Sequence, residues 1–193
     1  MLMQLLALCA LAGVSIFLFF PVNSDKGRTR ESRYVRYIPF IPVFVLPYVS
    51  LYPYIAFSML GLLFFTPIAA RLYVSIIFSA LVAALIWYFL PSKVSGRPKL
   101  TPKGPMTSIV AWIYRVDPGG NTLPSSHAYM AILCSYYLTF AFPLHETLIW
   151  GYGVTVISST LFVRQHHISD LFAGGILAAI SVGFSYLILG GLS

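Results

Sequence analysis

The sequence predicts an all-α protein, a bundle of six transmembrane helices with an interfacial helix between the third and fourth spans. Three observations predict it: 59% of the 193 residues are hydrophobic, only 9% are charged, and the mean hydropathy is +0.85. Soluble proteins carry roughly 25% charged residues, so this composition excludes a soluble globular domain. Because no polar stretch is long enough for a second domain, residues 1–193 are predicted to form a single integral membrane domain.

Six apolar stretches approach the roughly 20 residues that a helix needs to cross the hydrocarbon core. They cover residues 2–21, 41–65, 72–90, 125–143, 147–163 and 167–191. The first lacks both a basic leading region and a clear cleavage site, which favours a retained helix over a signal peptide. Prolines in the second predict a kinked entry. Residues 106–116 are apolar but too short to span, and they predict the interfacial helix.

The cations lie on one side of this predicted bundle. With six spans, the loops at 22–37, 91–123 and 164–167 share one face and carry eleven of the twelve Lys and Arg residues, whereas Arg71 lies on the other. A net charge of +7 placed in loops beside apolar spans indicates lipid headgroups or a phosphorylated substrate rather than nucleic acid. The positive-inside tendency places this face in the cytoplasm.

A histidine and an aspartate begin the predicted sixth helix. His166 and Asp170 are four residues apart and therefore face the same way. The carboxylate can keep one imidazole nitrogen protonated and leave the other free to attack an electrophile. A packed polar pair and a metal site are the alternatives, but no further ligands are evident and both cysteines, Cys9 and Cys134, lie in apolar spans. We therefore predict no metal and no cofactor; His167 points elsewhere and is a secondary candidate.

A second cluster, Pro124-Ser125-Ser126-His127, precedes the predicted fourth span. A serine before a helix is a natural cap, and the same geometry leaves hydroxyl and N–H groups that suit a phosphate. His127, at the rim, is placed to protonate a leaving alkoxide.

A third cluster contains Lys93 and Arg97, which precede Pro98. These cations can neutralise phosphate oxygens, although a basic stop beside a membrane span has the same composition.

In this order the clusters resemble the motifs of the membrane-bound type 2 phosphatidic acid phosphatase superfamily, the lipid phosphate phosphatases. That family has a Lys followed by Arg-Pro, then Pro-Ser-Gly-His, and then Ser-Arg, five residues, His, three residues and Asp. The residues that match the second and third motifs are Pro124, Ser125, His127, Ser159, His166 and Asp170. Ser126 stands where the family usually has Gly.

The resemblance implies a mechanism without a metal. His166 would form a phosphohistidine, Asp170 would orient it, and His127 would protonate the leaving group. The residues expected to bind the phosphoryl oxygens are Lys93, Arg97, Ser125, Ser126 and Arg164. The implied partners are the bilayer and a lipid or isoprenoid phosphate, with no nucleic acid.

The chain departs from the family pattern at two places. Thr160 replaces the third-motif Arg, for which Arg164 could substitute one turn later, and only three residues separate Lys93 from Arg97 where the family usually has six. Residues 163–174 look more like the branch that contains inositol phosphorylceramide and sphingomyelin synthases, which transfer a phospho-headgroup to an alcohol.

Three functions are therefore compatible with the sequence. They are hydrolysis of a lipid phosphoester, transfer to an alcohol through the same intermediate, and a non-catalytic membrane protein or transporter that keeps the fold. The family resemblance places the basic face outside the cytoplasm, against the positive-inside tendency, so the orientation stays open. The sequence does not identify the lipid, the protein partners or the oligomeric state.

Overall fold

The computed structural model describes residues 2–23, 27–30, 32, 34–101 and 103–190, which are mainly helical. The α-helices are α1 (Leu2–Ile16), α2 (Phe19–Val22), α3 (Val45–Val49), α4 (Leu51–Gly61), α5 (Thr66–Phe89), α6 (Pro105–Val116), α7 (Ser126–Ala141), α8 (Glu146–Phe162) and α9 (Ile168–Leu189). Single 3-10 turns lie at Val35–Tyr37, Pro42–Phe44, Leu62–Phe64 and Pro143–His145. Two cations of the predicted basic loop, Lys26 and Arg33, and the end of the sixth predicted span lie outside the described residues.

Four stretches of the described residues are long and apolar enough to cross a membrane. They are Leu2–Val22, Pro42–Phe64, Thr66–Phe89 and Ile168–Leu189. Helices α7 and α8 have 16 and 17 residues, and at 1.5 Å per residue they extend about 25 Å, less than the roughly 30 Å hydrocarbon core. The prediction of an all-α protein is confirmed, with four candidate membrane spans. The count of six spans and the interfacial position of α6 stay predictions.

The third predicted span begins earlier than its hydropathy suggested, at Thr66 rather than at residue 72. Pro67 fits the first turn of α5, where its missing N–H costs no hydrogen bond. Arg71 therefore lies on the helix, where its guanidinium stacks on Tyr186 at 4.0 Å from the ring centroid and donates to the Gly190 carbonyl at 3.2 Å. This position, at the C-terminal end of α9, is favourable for a cation.

Helix α5 lies at the centre of the bundle, where it packs against α1, α7 and α9, and α7 also contacts α4 and α8. Hydroxyl groups link three of these helices. Tyr137 of α7 is 2.9 Å from Ser75 Oγ of α5 and 2.8 Å from Ser185 Oγ of α9, and all three residues are buried. Such hydrogen bonds between helices supplement van der Waals packing inside a membrane protein.

A small parallel sheet, which the sequence did not predict, joins two loops at one end of the bundle. Strand β1 (Arg28–Arg30) pairs with β2 (Ser92–Val94), and three residues per strand are too few for an alternating pattern. Ser92 Oγ is 2.8 Å from Thr122 Oγ1 and accepts the Leu123 N–H at 3.2 Å. The sheet thereby fixes the segment that leads into α7.

Helix α6 packs at the same end of the bundle. Its buried residues Val110 and Ile113 contact a second apolar cluster that includes Val45, Tyr48 and Val163. These contacts bring the C-terminal end of α6 beside α3 and the end of α8.

Candidate active site

Four segments meet where α7 and α9 begin. The Ser125 N–H donates to the Asp170 carbonyl at 3.0 Å, which joins the starts of the two helices. Arg97 reaches the residues before α9 through a hydrogen bond to Gln165, and Arg30 of β1 forms an ion pair with Asp170. The three predicted clusters therefore lie together, and β1 adds a fourth segment that the sequence did not indicate.

The two ring nitrogens of His166 differ in their hydrogen bonding. Nδ1 is 3.0 Å from the Thr122 carbonyl oxygen and 3.7 Å from Asp170 Oδ2. A carbonyl oxygen only accepts hydrogen bonds, so Nδ1 must carry the proton. Nε2, which has no hydrogen-bond partner among the described residues, then holds a free lone pair. From the sequence, we expected the Asp170 carboxylate to keep this nitrogen of His166 protonated. In the structure, Nδ1 is hydrogen-bonded to the backbone carbonyl of Thr122, and the carboxylate lies close by.

Asp170 is completely buried and well compensated. Oδ1 accepts a hydrogen bond from Arg30 Nη1, and Oδ2 accepts the His167 N–H at 2.8 Å. Arg30 Nη2 also donates to Ser169 Oγ at 2.9 Å. The Arg30 backbone carbonyl accepts from His167 Nε2 at 2.9 Å, so His167 anchors β1 rather than the cavity. Arg30 lies 140 residues from Asp170, and no motif spacing in the sequence could have linked them.

The second histidine, His127, is 4% exposed, and neither ring nitrogen has a hydrogen-bond partner in the described part of the chain. Its ring stacks on Tyr48 with centroids 4.2 Å apart, and its centroid is 6.0 Å from that of His166. Buried polar groups normally have partners, so two unpartnered nitrogens in a side chain that lines the same cavity as His166 indicate a position prepared for a ligand.

The two serines before His127 differ in role. Ser125 is completely buried, and its Oγ accepts the Ala128 N–H at 3.4 Å as the N-cap of α7. Ser126 is half-buried and faces the same cavity as His127. The N–H groups of Ser126 and His127 form no hydrogen bond with any described residue. They point outward from the helix start, where anions bind favourably.

Arg97 does not line the cavity itself but contacts Gln165, which does. It donates to the Asp117 carbonyl at 2.8 Å and to Gln165 Oε1, and its guanidinium lies 4.6 Å from the Tyr114 ring centroid. Gly119 has φ +80°, and a Cβ there would lie 2.7 Å from Arg97 Cζ, so a glycine is required for this approach. Burial lowers the pKa of Arg97 and the Asp117 carboxylate partly restores it, so the guanidinium stays charged at neutral pH.

Two other predicted phosphate-binding cations do not line the cavity. Lys93 lies in β2 opposite Thr29, and its ammonium group has no hydrogen bond or ion pair with another described residue. The Arg164 guanidinium donates to the Ile38 carbonyl, and the residue has φ +55°. Thr160, in the position of the family's Arg, is buried and bonds within its own helix, to the Ile157 carbonyl at 2.7 Å.

The cavity has a volume of about 330 Å³ and divides into an apolar wall and a polar end. Its apolar lining comes from helices α1 to α4, α6 and α7 and includes Ile16, Phe19, Phe20, Ile55, Trp112, Val116 and Met130. The polar side chains that line it include Asn23, Asp117, Asn121, Ser126, His127, Gln165 and His166. Within the described part of the chain, no three His, Cys, Asp or Glu side chains lie close enough to hold a metal ion. This arrangement suits an amphiphile whose head is an anion.

One comparison with known proteins found a match. A model of the PAP2 superfamily matches residues 70–192, which include all three predicted motifs and helices α6 to α9. No protein of curated function matches the chain, and no solved structure does. The match covers well over half of the chain, and the protein therefore belongs to the PAP2 superfamily.

Proposed function

We propose that this protein is a membrane phosphatase that cleaves a lipid phosphoester through a phosphohistidine at Nε2 of His166, with water as the acceptor. Membership of the PAP2 superfamily supports an enzyme that acts on lipid phosphoesters. The observation that carries the proposal is the hydrogen bond between His166 Nδ1 and the Thr122 carbonyl at 3.0 Å. It sets the tautomer that leaves Nε2 unprotonated, as a nucleophile must be.

In the first step Nε2 attacks phosphorus, and the bond between phosphorus and the lipid oxygen breaks. His127, whose ring centroid is 6.0 Å from that of His166, gives a proton to the departing alkoxide. The phosphate supplies the nearby negative charge that favours a protonated His127. The phosphoryl oxygens would be bound by Ser126 Oγ and by the free N–H groups at the start of α7, and Arg97 would add positive charge from behind Gln165.

In the second step water attacks the phosphohistidine. The bond between phosphorus and Nε2 breaks, inorganic phosphate leaves, and His127 takes the proton from the attacking water. Asp170, held by Arg30, would stabilise the positive charge that His166 carries while it is phosphorylated. No step requires a metal ion.

The position of the site suits a substrate that stays in the bilayer. Helices α7 and α9 begin at the site, whereas α5 and α8 end beside it. We infer that α7 and α8 complete a bundle of six spans with the site at one membrane surface, and that lipid enters against the apolar wall. A reporter fused to the C-terminus would reveal which compartment that surface faces.

The nucleophile is tested by the substitution His166→Gln in purified protein. We expect release of inorganic phosphate from a phosphatidic acid panel to fall at least about 1,000-fold, because the substitution removes the nitrogen that forms the intermediate. His145→Gln is the matched control, since His145 is exposed and lies at the other end of α7. Full activity of the His166 variant would refute the assignment.

The acceptor is tested by product analysis with and without an added alcohol, in the presence of a metal chelator. Hydrolysis predicts release of inorganic phosphate that the chelator does not reduce. Transfer of a headgroup to the alcohol without release of phosphate would instead establish a phosphotransferase.

A further inference from the structure

The polar end of the cavity contains a second set of groups that the two-step reaction does not use. Asp117, Asn23 and Asn121 line the cavity, and Asp117 and Asn23 are hydrogen-bonded to each other. Asp117 Oδ1 accepts from the Gly119 N–H at 2.8 Å and from Asn23 Nδ2 at 3.3 Å. Asn121 is anchored by its Nδ2, which donates to the Phe19 carbonyl at 3.2 Å.

The buried atoms of these three residues that lack a hydrogen-bond partner among the described residues are amide oxygens, which accept hydrogen bonds. Asn121 is 2% exposed, and its Oδ1 has no hydrogen-bond partner among the described residues, nor has Oδ1 of Asn23. Both residues line the cavity, as does Asp117. Burial of such acceptors without a partner is unfavourable, so their position beside a cavity indicates a ligand that donates hydrogen bonds.

This acceptor set lies beside the phosphate position but differs from it chemically. Asn121 precedes Thr122, whose carbonyl holds His166, so this member of the set is one residue from the group that positions the nucleophile. The start of α7 presents donors, whereas the acceptor set includes a carboxylate that repels phosphate. The charge of Asp117 is already offset by Arg97, which donates to its carbonyl, and by two N–H donors. A neutral donor therefore fits better than a cation.

We propose that Asp117, Asn23 and Asn121 form a subsite that binds a hydroxyl group of the substrate lipid on the carbon next to the phosphoester. The proposal rests on the proposed function, because it takes phosphate at His166 as the reference point. A hydroxyl there would donate to Asp117 or Asn121, and a lipid without it would leave these oxygens unpaired. Selectivity would then come from residues outside the three motifs.

The test uses three non-cleavable phosphonate lipids with the same acyl chain, which carry a hydroxyl, a hydrogen or an amine at that carbon. Binding to the purified full-length protein in detergent micelles is measured by calorimetry. We expect the hydroxyl lipid to bind about 10-fold more tightly than the deoxy lipid, as for one hydrogen bond to a charged or buried acceptor. Asp117→Asn and Asn121→Gly should reduce this ratio below about 3-fold. The glycine is compatible with the φ of +53° at residue 121.

Arg115→Ala is the matched control, because Arg115 is exposed on the last turn of α6 and should leave the ratio unchanged. Equal binding of the hydroxyl and deoxy lipids to the unmodified protein would overturn the subsite. Tighter binding of the amine lipid would overturn it in favour of a cation site. The subsite would also be overturned if both variants kept the full preference for the hydroxyl lipid over the deoxy lipid.

Phosphate release from the corresponding cleavable lipids separates this inference from the proposed function. Release without discrimination would overturn the subsite and leave the phosphatase reaction intact. Discrimination in binding without any release would support the subsite and overturn the reaction.

Discussion

The two ends of α7 treat their buried polar groups in opposite ways. Near the C-terminal end, the Tyr137 hydroxyl bonds to Ser75 and Ser185, so that α5, α7 and α9 are joined by satisfied groups. At the N-terminal end, His127 is equally buried, but neither of its nitrogens has a partner among the described residues. One end uses polar groups for packing, and the other holds them ready for a ligand.

The polar groups with partners and those without partners also come from different parts of the fold. The satisfied hydroxyls come from residues inside long helices, whose positions follow from helix packing. The unpartnered groups at the cavity come from the first turn of α7 and from connecting segments, among them Asn121 Oδ1 and Gln165 Nε2. Substitutions at the two ends of α7 should therefore change different measurable quantities.

The largest effect on activity in this comparison is expected from His127→Asn. It removes the general acid, so kcat should fall about 100- to 10,000-fold. The free energy of unfolding should fall only by about 0.5–1.5 kcal/mol, because the stacking on Tyr48 is lost but no hydrogen bond is. Phosphate release and thermal unfolding of the same preparation measure both quantities. A variant that keeps its activity would exclude His127 as the proton donor.

The next effect concerns Arg30, which we regard as a positioning residue that acts through Asp170. Arg30→Ala should lower kcat roughly 10- to 100-fold, as for other residues that orient an active group, with little change in KM. Arg28→Ala, at an exposed position of the same strand, is the control.

A double substitution tests whether Arg30 acts only through the carboxylate. Adding Arg30→Ala to Asp170→Asn should cause no further loss of kcat. In the protein that keeps Asp170, Arg30→Lys should lower kcat less than Arg30→Ala does. Additive losses would show that Arg30 acts elsewhere.

A smaller effect is expected where α9 crosses α7 beside the site. A Cβ at Gly174 would lie 2.7 Å from Ala128 Cβ and 2.8 Å from the Ser125 carbonyl oxygen. Gly174→Ala should therefore lower the free energy of unfolding by about 1–3 kcal/mol and reduce activity, because the start of α7 must move. Gly175→Ala provides a neighbouring control, since its nearest contact would be an ordinary 3.7 Å. Equal stability of the two variants would contradict this packing.

The smallest effect should come from the satisfied end of α7. Tyr137→Phe removes the hydroxyl that contacts both serines, but Ser75 and Ser185 keep their backbone acceptors, so the loss should be about 1 kcal/mol with unchanged kcat. Tyr88→Phe, at an exposed position, should change neither quantity. A large fall in kcat for the Tyr137 variant would show that the two ends of the helix are coupled.

Several features of the fold could be predicted from local pattern. Apolar runs identified the helices, and prolines identified the irregular entry of α3 and α4. The third span was placed six residues too late at its start because Arg71 interrupts the hydropathy, although Tyr186 and Gly190 accommodate that cation. Contacts between helices decide whether a single charge ends a span, and a local pattern contains no information about them.

For the active site, the sequence by itself determined the residue types and their spacing. A separation of four residues places His166 and Asp170 on one helix face, and the three motifs predicted a family that the superfamily match supports. Helical periodicity is a property of the local chain, so these relations can be seen without coordinates.

Only the tertiary structure decided which groups hold these residues. It assigned the hydrogen bond of His166 to the Thr122 carbonyl, paired Asp170 with Arg30, and directed the Arg97 guanidinium to Gln165 and Asp117. These partners are backbone carbonyls, which every residue has, and ends of long flexible side chains, which can point in many directions. The folded chain alone selects among them, because it alone sets which loops come within hydrogen-bond distance.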